Sequence, residues 1–166
     1  MSSRPFRYAI ALGGNRRTRW GGPPATLHAA IQILTAAGLK IDRVSPIVAT
    51  PAMGPAGRGF ANAALCITTT LAPVDLLTLL KRTERAFGRR AGRRWGPRPL
   101  DLDILLWSEG VWPPGHARSA PGRLQIPHVG LASRRFVLDP LVRIAPDWPL
   151  PGTRRTIRQL HARAKG

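Results

Sequence analysis

The run Leu100-Asp101-Leu102-Asp103-Ile104-Leu105-Leu106 constrains this chain more than any other stretch of it. Its period of two is that of a strand with unlike faces: Leu100, Leu102, Ile104 and Leu106 on one side, Asp101, Asp103 and Leu105 on the other. The leucine face demands a covering layer. The other face sets two carboxylates about 6.5–7 Å apart at Cα, which repel each other unless cations answer them. A sheet covered by helices on its apolar face, with a cation or arginines beside the carboxylates, satisfies both demands.

The rest of the chain supplies such a sheet. Tyr8, Ile10 and Leu12 alternate with small residues and stop at Gly13-Gly14-Asn15, a strand running into a glycine turn. Residues 16–24 are basic and rich in Gly and Pro and read as a mobile loop. Leu27, Ile31 and Leu34 recur at helical spacing between Pro23-Pro24 and Gly38. Residues 41–48 read as a second strand, with Pro46 placing it at an edge or bulge. Residues 50–59 form another loop, and residues 62–70, β-branched toward their end, a third strand. Pro73 opens a second helix with Asp75 in its first turn, apolar along Leu76, Leu77, Leu80 and Phe87, and stopped by Gly88.

The order is βαββαβ, so the expected fold class is an α/β (α+β) sandwich: a ferredoxin-like core with an antiparallel sheet and helices packed on it. A C-terminal hairpin and helices near residues 135–143 and 156–164 are expected to extend it. With 166 residues, no internal repeat and no long linker, residues 1–166 read as a single domain.

Charge narrows the partners. Lys and Arg number 26 against 8 Asp and Glu, a formal net charge of +18. This suits a polyanion: a nucleotide, a phosphorylated metabolite or nucleic acid. A coding bias toward arginine, with most of these side chains simply solvated, explains the same number. The single cysteine, Cys66, excludes an internal disulfide framework and a cysteine-based zinc cluster, and reads as a small core hydrophobe. No apolar run near the start reaches the length of a signal-peptide core or a membrane span. A cytoplasmic protein without a membrane partner is the expectation.

Asp101-x-Asp103 is the constellation best suited to chemistry. Two carboxylates on one strand face match a pair of Mg²⁺ ions roughly 3.5–4 Å apart, the arrangement used for in-line displacement at phosphorus. The plain alternative is a solvated face with each Asp paired to Arg98 or another neighbour. Directly upstream, residues 89–98 hold Arg89, Arg90, Arg94 and Arg98 around Trp95. Guanidinium groups there serve a transferring phosphoryl group. A single-stranded RNA surface, with Trp95 as a stacking plane, reads from the same residues. No Gly-rich loop ending in Lys-Ser/Thr occurs, which disfavours a P-loop NTPase. Glu84, at the edge of an apolar helical stripe, needs a partner, and a salt bridge serves as well as a binding role. His128 after Pro127 suits a phosphate contact or a structural hydrogen bond.

Arg94-Trp-Gly-Pro-Arg98-Pro-Leu-Asp101-Leu-Asp103 resembles the signature of the hydroxymethyldihydropterin pyrophosphokinase family. The likeness runs along nearly the whole chain: Gly13-Gly-Asn15 after the first strand, Thr50-Pro51-x-x-Gly54-Pro55, Phe60-Ala-Asn62, Ile126-Pro127-His128, Arg134-Arg-Phe136, and Ile144-Ala-Pro146. It departs from the family pattern at Gly14, Lys81 and Val129, at Gly57-Arg58-Gly59, and in an arginine arm one residue short.

The resemblance implies transfer of the β,γ-pyrophosphoryl group of ATP to a hydroxymethyl oxygen of a reduced pterin. Asp101 and Asp103 would hold two Mg²⁺ ions, Asp103 would help accept the hydroxyl proton, and Arg89 and Arg98 would clamp the phosphates. Glu84, Arg94, Arg98, Arg123, Ile126, His128 and Arg134 are the expected nucleotide-binding residues. Thr50, Pro51, Gly54, Phe60, Asn62, Trp95 and Phe136 are those expected at the pterin. ATP and the pterin are then the partners of a monomer, with no nucleic acid. An RNA-binding module on the same fold, and a family member that binds without catalysis, are the competing expectations.

Overall fold

The computed structural model describes residues 3–50, 59–88, 98–115 and 123–164. Along these run β1 (Phe6–Gly14), α1 (Pro23–Ala36), β2 (Lys40–Val44), β3 (Val48–Thr50), β4 (Phe60–Thr69), α2 (Pro73–Ala86), β5 (Asp101–Trp107), α3 (Arg135–Ile144) and α4 (Ile157–Arg163). The main path of the sheet is β2-β4-β1-β5, every pairing antiparallel, and β3 joins β4 beyond the end of β2. This is the ferredoxin-like arrangement.

The strand expected over residues 41–48 is split. Pro46 has no N–H to give to a ladder, and the break it makes is patched by Ser45. The Ser45 N–H donates to the Ala64 carbonyl at 2.9 Å, and its hydroxyl oxygen accepts the Ala64 N–H at 2.8 Å.

Two apolar clusters sandwich the sheet. Tyr8, Ile10 and Leu12, with Leu65, Ile67, Leu100, Leu102 and Ile104, pack against Leu27 and Leu34 of α1 and Leu76 and Leu80 of α2. On the opposite face β1 and β4 present Ala9 and Ala64, small enough for Val137, Leu138, Leu141 and Ile144 of α3 and Ile157 of α4 to approach. The C-terminal helices therefore add a third layer. The expected hairpin is reduced among the described residues to isolated antiparallel bridges, Trp112 to Ile126, with mutual hydrogen bonds of 2.9 and 3.0 Å, and Pro149 to Thr156.

The alternation along β5 fails at one point. Ile10 pairs with Ile104 and Ala9 with Leu106, so Leu105 has no partner on β1. Past this bulge the faces exchange. Leu106 lies in the α3 cluster beside Leu105, not on the face of Leu100, Leu102 and Ile104. The bulged carbonyl of Leu105 accepts the His128 N–H at 3.0 Å, which fixes His128 against the strand.

The segment read as a mobile loop is a bonded turn. Thr18 and Gly21 pair through both backbone bonds, Trp20 stacks on Phe87 with ring centroids 4.1 Å apart, and the Arg19 guanidinium lies 4.2 Å from the Trp20 ring.

Candidate active site

The sheet register assembles the site. Gly13 pairs with Asn62 on one side and Asp101 on the other, and Asn62 pairs in turn with Val48. One residue pair further in, Ala11 lies between Ala64 and Asp103. Paired residues share a face, so Asn62, Asp101 and Asp103 stand on the α3 side of the sheet, with Gly13 and Ala11 leaving the floor between them low. Thr50 pairs with Phe60, which follows Asn62 on that face by the period of two. A β-carbon on Gly13 would stand 3.2 Å from Asn62 Oδ1.

The two aspartates have different surroundings. Asp101 Oδ2 accepts from Arg98 Nη1 at 3.0 Å. The Asp103 carboxylate makes no hydrogen bond among the described residues; the His128 ring lies beside it, with Nε2 3.9 Å from Oδ1. Burial, and then the charge of Asp101, raise the proton affinity of Asp103 above that of an ordinary aspartate, against the opposing fields of His128, Lys81 and Arg134. His128 Nδ1 accepts the Gly130 N–H at 3.0 Å, so in the neutral ring the proton is on Nε2, on the side of Asp103. Gly130 also makes room for Arg134, whose Nε would lie 2.6 Å from a β-carbon there.

Glu84 does not join this face. It lies on α2, across the sheet from the aspartates, 1 % exposed, and its Oε1 accepts the Leu102 N–H at 2.8 Å on the edge of β5 away from β1. Lys81 Nζ donates to both of its carboxylate oxygens, at 3.2 and 3.3 Å. Ile126 is likewise withdrawn: its side chain is fully buried in the α1/α2 cluster, and Trp112 occupies both its backbone groups. Neither has the exposure expected of a nucleotide contact. Arg123 and Arg134 are exposed, and Phe60 and Phe136 present half their surface to solvent. The expected Pro51, Gly54, Arg89, Arg94 and Trp95 lie outside the described residues.

A groove of about 680 Å³ opens at the other end of the same sheet face, between Arg7, Cys66, Thr68 and Trp148, and none of the expected site residues lines it. Cys66 is half-buried there rather than sealed in the core.

Sequence reading gave Asn15 no role of its own and missed Leu105. Asn15 follows a visible Gly-Gly turn; no residue type announces the bulge.

The donor set suits Mg²⁺. Asp101 and Asp103 are hard oxygen donors on one face, the Asp103 carboxylate has no hydrogen-bond partner among the described residues, and a divalent cation would relieve the repulsion between the two. Among the described residues no group of three or more His, Cys, Asp or Glu is placed to cage a metal. Two carboxylates with the remaining positions left to water and phosphate oxygens is how Mg²⁺ is commonly held.

Fold and site define an antiparallel α/β sandwich with paired carboxylates among cations at one end of its sheet. Residues 9–146 match the family model described as 7,8-dihydro-6-hydroxymethylpterin-pyrophosphokinase, and the chain belongs to this family. It is 37 % identical over 153 residues to the 2-amino-4-hydroxy-6-hydroxymethyldihydropteridine pyrophosphokinase of Synechocystis, covering 91 % of this chain and 72 % of that one. The enzyme of the same name from Pseudomonas aeruginosa is 38 % identical over 150 residues, covering 89 % and 86 %. Among solved structures, the Plasmodium falciparum HPPK-DHPS with pteroate superposes with a TM-score of 0.71 at 13 % identity, a likeness of fold. That match covers 98 % of this chain and 45 % of the longer one, so this chain spans less than half the length of that protein. No described helix is long and apolar enough to cross a membrane.

Proposed function

We propose that this chain, as one domain, transfers the β,γ-diphosphoryl group of ATP to the hydroxymethyl oxygen of 6-hydroxymethyl-7,8-dihydropterin. The oxygen bonds to the β-phosphorus as the bond from that phosphorus to the α–β bridging oxygen breaks. AMP departs, and the hydroxyl proton leaves on the side of Asp103. Family membership supports the reaction. The observation that carries it to particular residues is the pair Asp101 and Asp103 on one sheet face, the second without a hydrogen-bond partner among the described residues.

Asp101 and Asp103 would hold Mg²⁺, which we take as two ions; bound there, the metal offsets phosphate charge and polarises the bond to be broken. The chain's own groups do the positioning. Arg98, set against Asp101, faces the transferring group, while His128 Nε2–H and Arg134 flank Asp103 from the α3 side. Phe60 and Phe136 offer exposed ring faces to a flat heterocycle, and Asn62 and Thr50 supply polar groups on that side of the sheet. Phosphoryl transfer asks for orientation and charge compensation rather than a covalent nucleophile, and none of these roles needs one.

The test is AMP release from ATP, with and without the pterin, across a Mg²⁺ titration. Release that requires both pterin and Mg²⁺ is expected. Pterin-dependent release that survives in both Asp101→Asn and Asp103→Asn would remove these residues from the reaction.

A further inference from the structure

The end of β1 is tied to the strand of the aspartates by one residue. Asn15 N–H donates to the Arg98 carbonyl at 3.1 Å, and Arg98 N–H donates back to Asn15 Oδ1 at 2.9 Å. The Asn15 amide group thus completes with its side chain a two-way bond that a strand pair makes with two backbones. Gly14 permits the approach: a β-carbon there would stand 2.7 Å from the Pro99 carbonyl oxygen. The Arg98 guanidinium reaches Asp101 at 3.0 Å. Arginine side chains are long and rotamer-rich, and a backbone left free at its root would spread the guanidinium over many positions.

We propose that Asn15 is a positioning residue for transfer: by clamping the Arg98 backbone on both sides, it sets the Arg98 guanidinium at Asp101, where the transferring phosphate is met. It touches neither substrate and acts only through Arg98. The proposal rests on the reading of Arg98 as a phosphate-facing group.

That dependence gives the test. A residue acting only through the Arg98 guanidinium loses its effect once that guanidinium is gone, although the Arg98 backbone remains. In steady-state assays of AMP release, Asn15→Ala in the wild-type background should lower kcat about tenfold, with little change in KM for the pterin. In the Arg98→Ala background, Asn15→Ala should lower kcat by less than about twofold. Thermal melts of all four proteins report folding separately. If Asn15→Ala does not stay folded, Asn15→Ser, whose hydroxyl stops short of the Arg98 amide, takes its place in the same cycle.

An equal fall in both backgrounds makes Asn15 merely structural and overturns the proposal. So does an unchanged kcat in a folded Asn15 variant of the wild type. A wild-type protein without transfer activity would instead sink the reaction reading, and an Arg98→Ala protein as active as wild type would sink the role of Arg98.

Discussion

Glu84 and Asp103 are both acids drawn back from water along β5, one on each side of the sheet, and they are treated in opposite ways. Glu84 is sealed and satisfied: a strand N–H and a lysine hold its two oxygens. Asp103 keeps 31 % of its side chain exposed, has no hydrogen bond among the described residues, and has a like charge two residues away. A buried carboxylate with full hydrogen bonding supports the fold, since removing it orphans its partners. A carboxylate with a like charge beside it and no hydrogen-bond partner among the described residues is costly to ionise, and on the proposed reading a divalent cation offsets that cost. On the proposed reading, the difference separates support on the α2 side of β5 from chemistry on the other.

The largest expected effect lies on the Asp103 side. Asp101→Asn and Asp103→Asn should each lower kcat for AMP release by roughly 10³-fold or more, about 4 kcal/mol of lost transition-state stabilisation, in proteins that still fold cooperatively. Glu84→Ala should do the reverse. It leaves the buried Leu102 N–H and Lys81 without their acceptor and should cost about 2–3 kcal/mol in urea unfolding. Glu84→Gln, which retains an acceptor for Leu102, should lose about half as much. A Glu84→Ala protein of wild-type stability would end the contrast. Mg²⁺ sharpens it further: at ten times its Kd, the metal should stabilise the wild type by about 1.4 kcal/mol and Glu84→Gln equally, and the Asp101→Asn/Asp103→Asn double variant hardly at all.

Much of this was legible in the chain, for reasons that also explain the rest. Alternation in β1 and β5 and the Pro and Gly marks around α1 and α2 are local signals, and they gave the βαββαβ order. The paired aspartates stood out because two of only eight acidic residues fall on one face of an otherwise apolar strand. What failed was non-local. The bulge at Leu105 arises from the pairing with β1 and from the His128 N–H that its carbonyl accepts, and it moved Leu106 to the other face. Glu84 was visible as a carboxylate in need of a partner; that the partner is the Leu102 N–H depends on which edge of β5 faces α2. Ile126 was carried to the nucleotide by the motif around it, yet it is that motif's buried anchor. The loop at residues 16–24 looked free because Gly and Pro dominate it, while the stacking of Trp20 on Phe87 joins residues far apart in sequence.

The smallest effect tests the comparison without any catalysis. Burial and the charge of Asp101 raise the proton affinity of Asp103 in the folded state, so folding favours its protonated form. The sign follows by linkage: this contribution to stability is full below the ordinary aspartate range and is lost as the pH rises through the raised value. Above the ordinary aspartate range, with metal chelated, that contribution is diminished for the aspartate but kept for a neutral amide, and Asp103→Asn should be the more stable protein. The gain is read as a higher melting temperature of the metal-free variant at pH 7. The advantage should shrink as the pH falls below the aspartate range, where the wild-type group is also neutral, and saturating Mg²⁺ should reverse it. If the metal-free Asp103→Asn protein melts lower than the wild type at pH 7, Asp103 is a second supporting carboxylate like Glu84, and the division between the two sides of β5 does not hold.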